Sequence, residues 1–365
     1  MRDLWIHEND LIVATHGRSF WILDDITPLR QVTGATAGSD VLFKPTAAYR
    51  VRRSTHTDTP IPPDEPAGEN PPAGAIIDYF LAKPASGPVT IDILDAKGSQ
   101  VRRFSSTDQP DQTEAELSKQ LIPLYWLRPH KAVASSAGMH RWIWDLHYPT
   151  PTSARHEYPS SAVPHDTPRH PLGPRAAPGE YTVRLTANGH SYTAPLTVKM
   201  DPRVKTLPAG LQQQFSLQTR LASLLSSTSE AVMQTHSIRE QLEKLSGKAI
   251  GSAAESIEGF KKKLKTLAGE PGEAARGTEE VTLKSVNDAA NTLYGDVDKA
   301  DAAPTLAQIE ATASAERDAV QVARRWEEIK SSDLQALNAL LRGANLPEIR
   351  LEASPQAEED PGDEE

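Results

Sequence analysis

The residues of this 365-residue chain best suited to chemistry are the carboxylates Asp24 and Asp25, the histidines between positions 130 and 170, and Trp126, Trp142 and Trp144. Paired carboxylates cleave glycosidic bonds when held ~5–9.5 Å apart across a cleft. Asp24 and Asp25 follow an apolar run. As neighbours on a strand they point to opposite faces, so they read as turn residues rather than as an acid and its base. Histidines hold metals when rigid elements carry them and partners orient each ring. His130, His140, His147, His156, His165 and His170 show neither His-x-x-x-His nor His-Glu-x-x-His spacing, and the last three sit among prolines. They are expected to be solvated loop residues, with no metal or cofactor. Exposed indoles stack on sugar rings, but Trp142 and Trp144 share one face of a predicted strand, and large aromatics usually fill cores. With no cysteine, disulfides, thiolate zinc sites and cysteine nucleophiles are excluded. No Gly-rich phosphate loop, nucleophile elbow or Ser-x-x-Lys set is present.

The stretch from Pro149 to Pro178 shows no strand pattern. Segments this long are functional or structureless. It follows Tyr148 and carries Arg155, His156, Tyr158, Arg169 and Arg175, side chains able to contact a sugar or a protein surface. Its prolines also suit a rigid wrap over the adjacent sheet. Trp142, Trp144, Tyr148, Arg155, His156 and Tyr158 are therefore the candidate ligand or partner contacts, and no residue is assigned a catalytic role.

The elements that must position these residues change along the chain. Twenty-three of 29 prolines lie at or before Pro202, and 16 of 20 aromatic residues precede position 205. Strands are expected before that point and helices after it. Short apolar runs at Trp5-Ile6, Leu11–Ala14 and Ser19–Leu23, with Val41-Leu42-Phe43 as a fourth, predict a small sheet over 1–45. A Pro-rich linker spans 46–73. Over 74–205, Ile77, Tyr79 and Leu81 alternate with their neighbours, as do Val89, Ile91 and Ile93. Turns at Asp95–Gly98 and Asn188-Gly189 add to an antiparallel Ig-like β-sandwich reading, with 149–178 as its long loop. Over 206–350 an antiparallel helical bundle is expected. One helix runs from Pro208 to about Leu245 and a second starts from a Ser252/Glu255 capping box. The second buries Ile257, Phe260, Leu264 and Leu267, and a third Val286, Ala290, Leu293 and Val297. A fourth, from Thr305 to Gly343, presents Ile309, Ala313 and Val320. The fold class is thus multidomain β plus α.

The tail 351–365 holds seven acids and no Lys or Arg, and without them the formal charge of −10 falls to −3. It reads as a disordered acidic terminus. The near-neutral body offers no basic stripe, so nucleic acid is not an expected partner. No apolar run is long enough for a membrane span.

The segment Leu11 to Arg30, including Ala14-Thr15-His16-Gly17-Arg18-Ser19-Phe20-Trp21-Ile22-Leu23-Asp24-Asp25-Ile26-Thr27-Pro28-Leu29, resembles the last blade of bacterial sortilin-like, BNR (Asp-box) repeat β-propeller proteins labelled glycosyl hydrolases. The stretch Pro63 to Asp78 resembles the segment that follows the propeller there. The 1–45 sheet is then expected to be a last-blade remnant, and the chain a C-terminal fragment or split gene product. It would be a non-catalytic region in which the Ig-like domain braces the propeller and the helices contact a partner. The resemblance implies missing propeller blades or an upstream polypeptide as partner, and an extracytoplasmic location, although Met1–Trp5 lacks the layout of a secretory leader. Glycoside hydrolase activity, or a carbohydrate-binding module, is the alternative.

Overall fold

The computed structural model describes residues 2–32, 38–53, 62, 64–65, 68, 70–159, 163–269 and 280–352. Most of the acidic tail, and 54–61, 63, 66–67 and 69 of the 46–73 linker, lie outside the described residues. The fold is mixed β plus α. The strands are β1 (Asp3–His7), β2 (Asp10–Ala14), β3 (Phe20–Leu23), β4 (Val41–Leu42), β5 (Ala48–Arg50), β6 (Ala75–Leu81), β7 (Thr90–Leu94), β8 (Gln100–Ser105), β9 (Gly138–Trp144), β10 (Gly179–Ala187) and β11 (His190–Met200). The helices are α1 (Thr27–Gln31), α2 (Glu114–Leu117), α3 (Pro208–Ser246), α4 (Ser252–Ala268), α5 (Leu283–Asp298), α6 (Leu306–Glu328) and α7 (Leu334–Gly343). They divide into two compact units, Met1–Pro149 with Tyr158–Lys205, and Thr150–Glu157 with Thr206–Glu365.

In the first unit, a five-stranded sheet β5-β11-β10-β7-β8 and a three-stranded sheet β4-β6-β9 feed one hydrophobic cluster. Ile77, Tyr79 and Leu81 of β6 meet Ile91 and Ile93 of β7 and Val183 and Leu185 of β10 there. The period-2 alternation carries these residues inward together. The β10–β11 hairpin turns at Asn188 and Gly189, both at positive φ, the backbone a two-residue hairpin loop demands. At Asp95, one carboxylate oxygen accepts from the N–H groups of Lys97 and Ser99 and closes the β7–β8 turn.

Two elements depart from the sequence expectation. Val41–Leu42 does not add a fourth strand to the opening sheet but pairs antiparallel with β6, at Val41↔Phe80 and Leu42↔Tyr79. Phe43, which follows, is buried. This apolar triplet gains a ready core in the two-sheet layer, which the small opening sheet does not provide. Ala48–Arg50, placed in the linker by its composition, runs parallel to β11.

The second unit is helical. α3 packs against α4, α5 and α6 and is buried on several sides. Ile257, Phe260, Leu264 and Leu267 of α4 are buried, as are Val286, Ala290 and Val297 of α5. The α4 cap differs from expectation: Ser252 is the first helical residue, and Gly251, at φ 61, precedes it without a side-chain cap. Capping boxes form instead at Thr282/Ser285 and Thr305/Gln308. The buried face of α6 also differs. Thr312, Ala315, Val322 and Trp326 point inward, whereas Ile309 and Val320 are exposed. A π turn over Ile329–Asp333 then joins α6 to α7.

Polar groups stitch α3 to α5. The buried Asn287 amide donates to Thr228 Oγ1 at 2.9 Å and Ser229 Oγ at 2.8 Å, and Gln214 Nε2 donates to the carbonyl of Val297 at 2.8 Å. Asn287→Ala removes the donor to both hydroxyls, of which Thr228 keeps its own bonds to the Leu224 and Leu225 carbonyls, and is expected to cost about 1–3 kcal/mol by chemical denaturation. Asn287→Asp, which cannot donate to them, should cost at least as much; unchanged midpoints in both would remove this stitch from the account.

Candidate functional site

The opening sheet has the order β1-β2-β3 and is antiparallel throughout. β1 and β2 join through Glu8-Asn9, and β2 reaches β3 through a turn containing Gly17 at φ 79. The registers Trp5↔Ile12↔Ile22 and Leu4↔Val13↔Trp21 assign residues to faces. One face carries Trp5, Ile12, Phe20 and Ile22, the other Leu4, Ile6, Leu11, Val13, Trp21 and Leu23. Trp5 is 66% exposed, Phe20 73%, Trp21 63% and Ile22 60%. A sheet normally turns its apolar face to a core and its polar face to water. Here both faces carry exposed apolar side chains, with Asp3, His7 and Asp10 sharing the Trp5 face, and such exposure marks an interaction surface.

One arginine fastens this sheet to the β unit. On β9, Arg141 donates from Nε and Nη2 to the Asp78 carboxylate at 2.9 and 3.0 Å, a bidentate pair. Its Nη1 and Nη2 also donate to the carbonyls of Asp24 and Asp25, at 2.6 and 2.8 Å. Desolvation lowers the guanidinium pKa, yet Asp78, Asp25 and Asp24 outweigh it and the net direction is upward. Asp25 sits at φ 53 and is buried. One of its carboxylate oxygens accepts from Thr27 N at 3.0 Å and Thr27 Oγ1 at 2.5 Å, the other from Thr46 Oγ1 at 2.7 Å. Arg30 of α1 binds Asn9 Oδ1 and the Glu8 carbonyl, closing the same corner. Sequence reasoning placed Asp24 and Asp25 at a turn but missed Arg141 and Asp78. The available signal was an acid, Asp78, in the middle of the most apolar strand.

The expected contact residues divide between the units. Trp144 is fully buried, donating Nε1 to the His147 carbonyl at 3.0 Å and meeting Tyr181 edge-on. Trp142 is half-buried against Phe104, with ring centroids 4.9 Å apart. Tyr148 is half-buried, and the Tyr158 hydroxyl donates to Gln112 Oε1 at 2.9 Å. Arg155 and His156 belong to the helical unit, where exposed Arg155 lies 3.6 Å from Glu157. The histidines are dispersed: His140 binds the Ser136 carbonyl and His130 that of Asp108. Among the described residues no group of three or more His, Asp or Glu is placed to hold a metal. No helix there is long and apolar enough to cross a membrane. In the helical unit a groove of about 470 Å³ between α5 and α6 sets Asp288 and Asp318 over small residues, Ala289, Ala311 and Ala315.

Near Trp144, Asp145 accepts from His147 N at 3.2 Å, and its other oxygen lies 3.5 Å from both His147 Nδ1 and Arg128 Nη1. Burial pushes its carboxyl up, but His147, Arg128 and Arg102 hold it down at about 2. No family model, curated protein or solved structure matches the chain.

Arg141→Ala leaves the Asp78 carboxylate buried without its partner and should destabilise the unit by about 3 kcal/mol. It should also speed hydrogen exchange in residues 24–31; exchange at the parent rate would refute the anchor. Because the folded Asp145 carboxyl titrates below its unfolded value, its stabilisation is complete above pH ~4 and disappears as pH falls through about 2. It should be on the order of 1 kcal/mol after solvent screening. The gap between the parent and Asp145→Asn should therefore close over that interval in acid titrations.

Proposed function

We propose that this chain is a non-catalytic interaction region of an exported sortilin-like, BNR-repeat β-propeller protein. The β1–β3 sheet acts as blade material, the two-sheet layer is an Ig-like domain that braces it, and the helical unit contacts a further partner. The observation that carries this reading is the sheet with two open apolar faces, held at one end by Arg141. A blade buries its faces only against neighbouring blades, so blade material separated from them displays both. The shallow, mainly apolar groove between α5 and α6 supports a partner contact for the helices.

A glycosidase reading has little to draw on. The Asp25 carboxylate is committed to Thr27 and Thr46, and Asp24 is its neighbour on the chain. A sugar-binding platform needs accessible indoles on one plane, whereas exposed Trp5 and Trp21 stand on opposite faces and Trp144 is buried.

A photoreactive phenylalanine analogue at position 5, introduced in the native host, tests the reading. The expected crosslink is to β-propeller polypeptide. Crosslinks that map only to lipid, glycan or a non-propeller protein would refute it.

A further inference from the structure

The chain turns back on itself after α7. Asn345 follows the helix at φ 54; its N–H donates to the Arg342 carbonyl at 3.2 Å, and Leu346 N donates to that of Leu341 at 2.9 Å. This pair of bonds is a Schellman stop. Two side-chain amides then receive the returning backbone. Asn338 of α7 accepts from Ile349 N at 2.8 Å through Oδ1 and donates to the Ile349 carbonyl at 3.0 Å through Nδ2. Gln241 of α3 treats Arg350 in the same way, at 2.9 and 3.0 Å. Successive residues of an extended chain turn their N–H and C=O groups to opposite sides, so one helix grips each. Gln241 Nε2 also reaches Ser237 Oγ at 3.2 Å, which holds the amide in this orientation.

Few side chains of the segment take part. Ile349 is buried and joins the cluster that contains Leu242 of α3 and Leu337 and Leu341 of α7, and Leu346 is half-buried against it. Glu348 accepts from Nε and Nη2 of exposed Arg342, both at 3.0 Å. Pro347, Arg350 and Leu351 are exposed. A groove that bonds the backbone and reads a few side chains is built as peptide receptors are: main-chain bonds hold the ligand and pockets select it. Among the described residues no element follows this segment, so it can leave the groove without unthreading the bundle.

We propose that the groove between α3 and α7 receives an extended segment of a partner protein, and that residues 346–350 occupy it as a built-in competitor. The partner segment has the pattern aliphatic-x-acidic-aliphatic, which Leu346, Glu348 and Ile349 display in the chain itself. Arg342 selects the acid by charge, the apolar cluster selects the aliphatic side chains, and Gln241 and Asn338 accept any backbone. A tethered competitor faces its own groove at a roughly millimolar effective concentration, so a free segment gains access chiefly when 346–350 is detached. The inference gives a chemistry to the partner proposed for the helices, and rests on that reading only in requiring such a partner.

The probe is a fluorescently labelled peptide Leu-Pro-Glu-Ile-Arg-Leu, the sequence of residues 346–351. In full-length Ile349→Asp the new carboxylate is driven out of the apolar cluster and takes the segment with it. That variant should bind the peptide on the order of tenfold more tightly than the unmodified chain, read by fluorescence anisotropy. Adding Gln241→Ala or Asn338→Ala should weaken binding again, and a peptide with aspartate in place of isoleucine should not bind. In the unmodified chain, excess unlabelled peptide should speed hydrogen exchange at the Ile349 and Arg350 amides and leave α4 unchanged. Circular dichroism verifies folding of each variant, and if Ile349→Asp does not fold, the exchange result decides. Equal affinity of the two chains, binding indifferent to Gln241 and Asn338, or exchange unmoved by peptide would overturn the receptor and leave the segment a structural staple. Crosslinks from position 5 report on the blade reading alone, so the two fail separately.

Discussion

The architecture of the β unit depends on one buried carboxylate and the cation that answers it. Asp78 lies in the middle of β6, flanked by residues that fill the hydrophobic core. A charge so placed is tolerated only when paired and fully hydrogen-bonded. Arg141, directly opposite on β9, meets it in bidentate fashion. The guanidinium has donors to spare, and these reach the carbonyls of Asp24 and Asp25. A single planar group thus solves a desolvation problem inside one sheet and fixes where the opening sheet ends.

That division explains why the opening sheet can be ordered yet unfinished. Its termination is over-determined: Asp25 binds Thr27 and Thr46, Arg30 binds the β1–β2 turn, and Gln31 bonds both ways with the backbone of Lys44. Among the described residues its faces receive no comparable support. Stability is concentrated at one end, while the apolar surface that would ordinarily provide it remains available to a partner.

Local periodicity made much of the fold legible. The alternation in β6 and β7, the Asn188-Gly189 turn and the apolar stripes of α4 and α5 are near-neighbour patterns, and each appears where its spacing placed it. What escaped were features decided by distant partners. Val41–Leu42 looked like blade sequence but lies beside β6, because only the core behind β6 could bury it. Composition marked 46–73 as linker, though Ala48–Arg50 found an edge on β11. The inward face of α6 includes Thr312 and Ala315, which carry no hydrophobic signal, so Ile309 and Val320 attracted attention that belonged elsewhere. The Arg141–Asp78 pair spans 63 positions, beyond any periodicity.

The path of the chain around position 150 has its own consequence. It leaves the β unit after Pro149, contributes Thr150–Glu157 to the helical unit, where Thr152 N bonds Ser226 Oγ at 3.1 Å, and resumes in the β unit at Tyr158. The helical unit is therefore discontinuous, and its complete set of residues cannot be obtained by truncation at position 206. A ribosome finishes the short contributed segment before Ser226 and the helices that receive it, so that segment must wait for them.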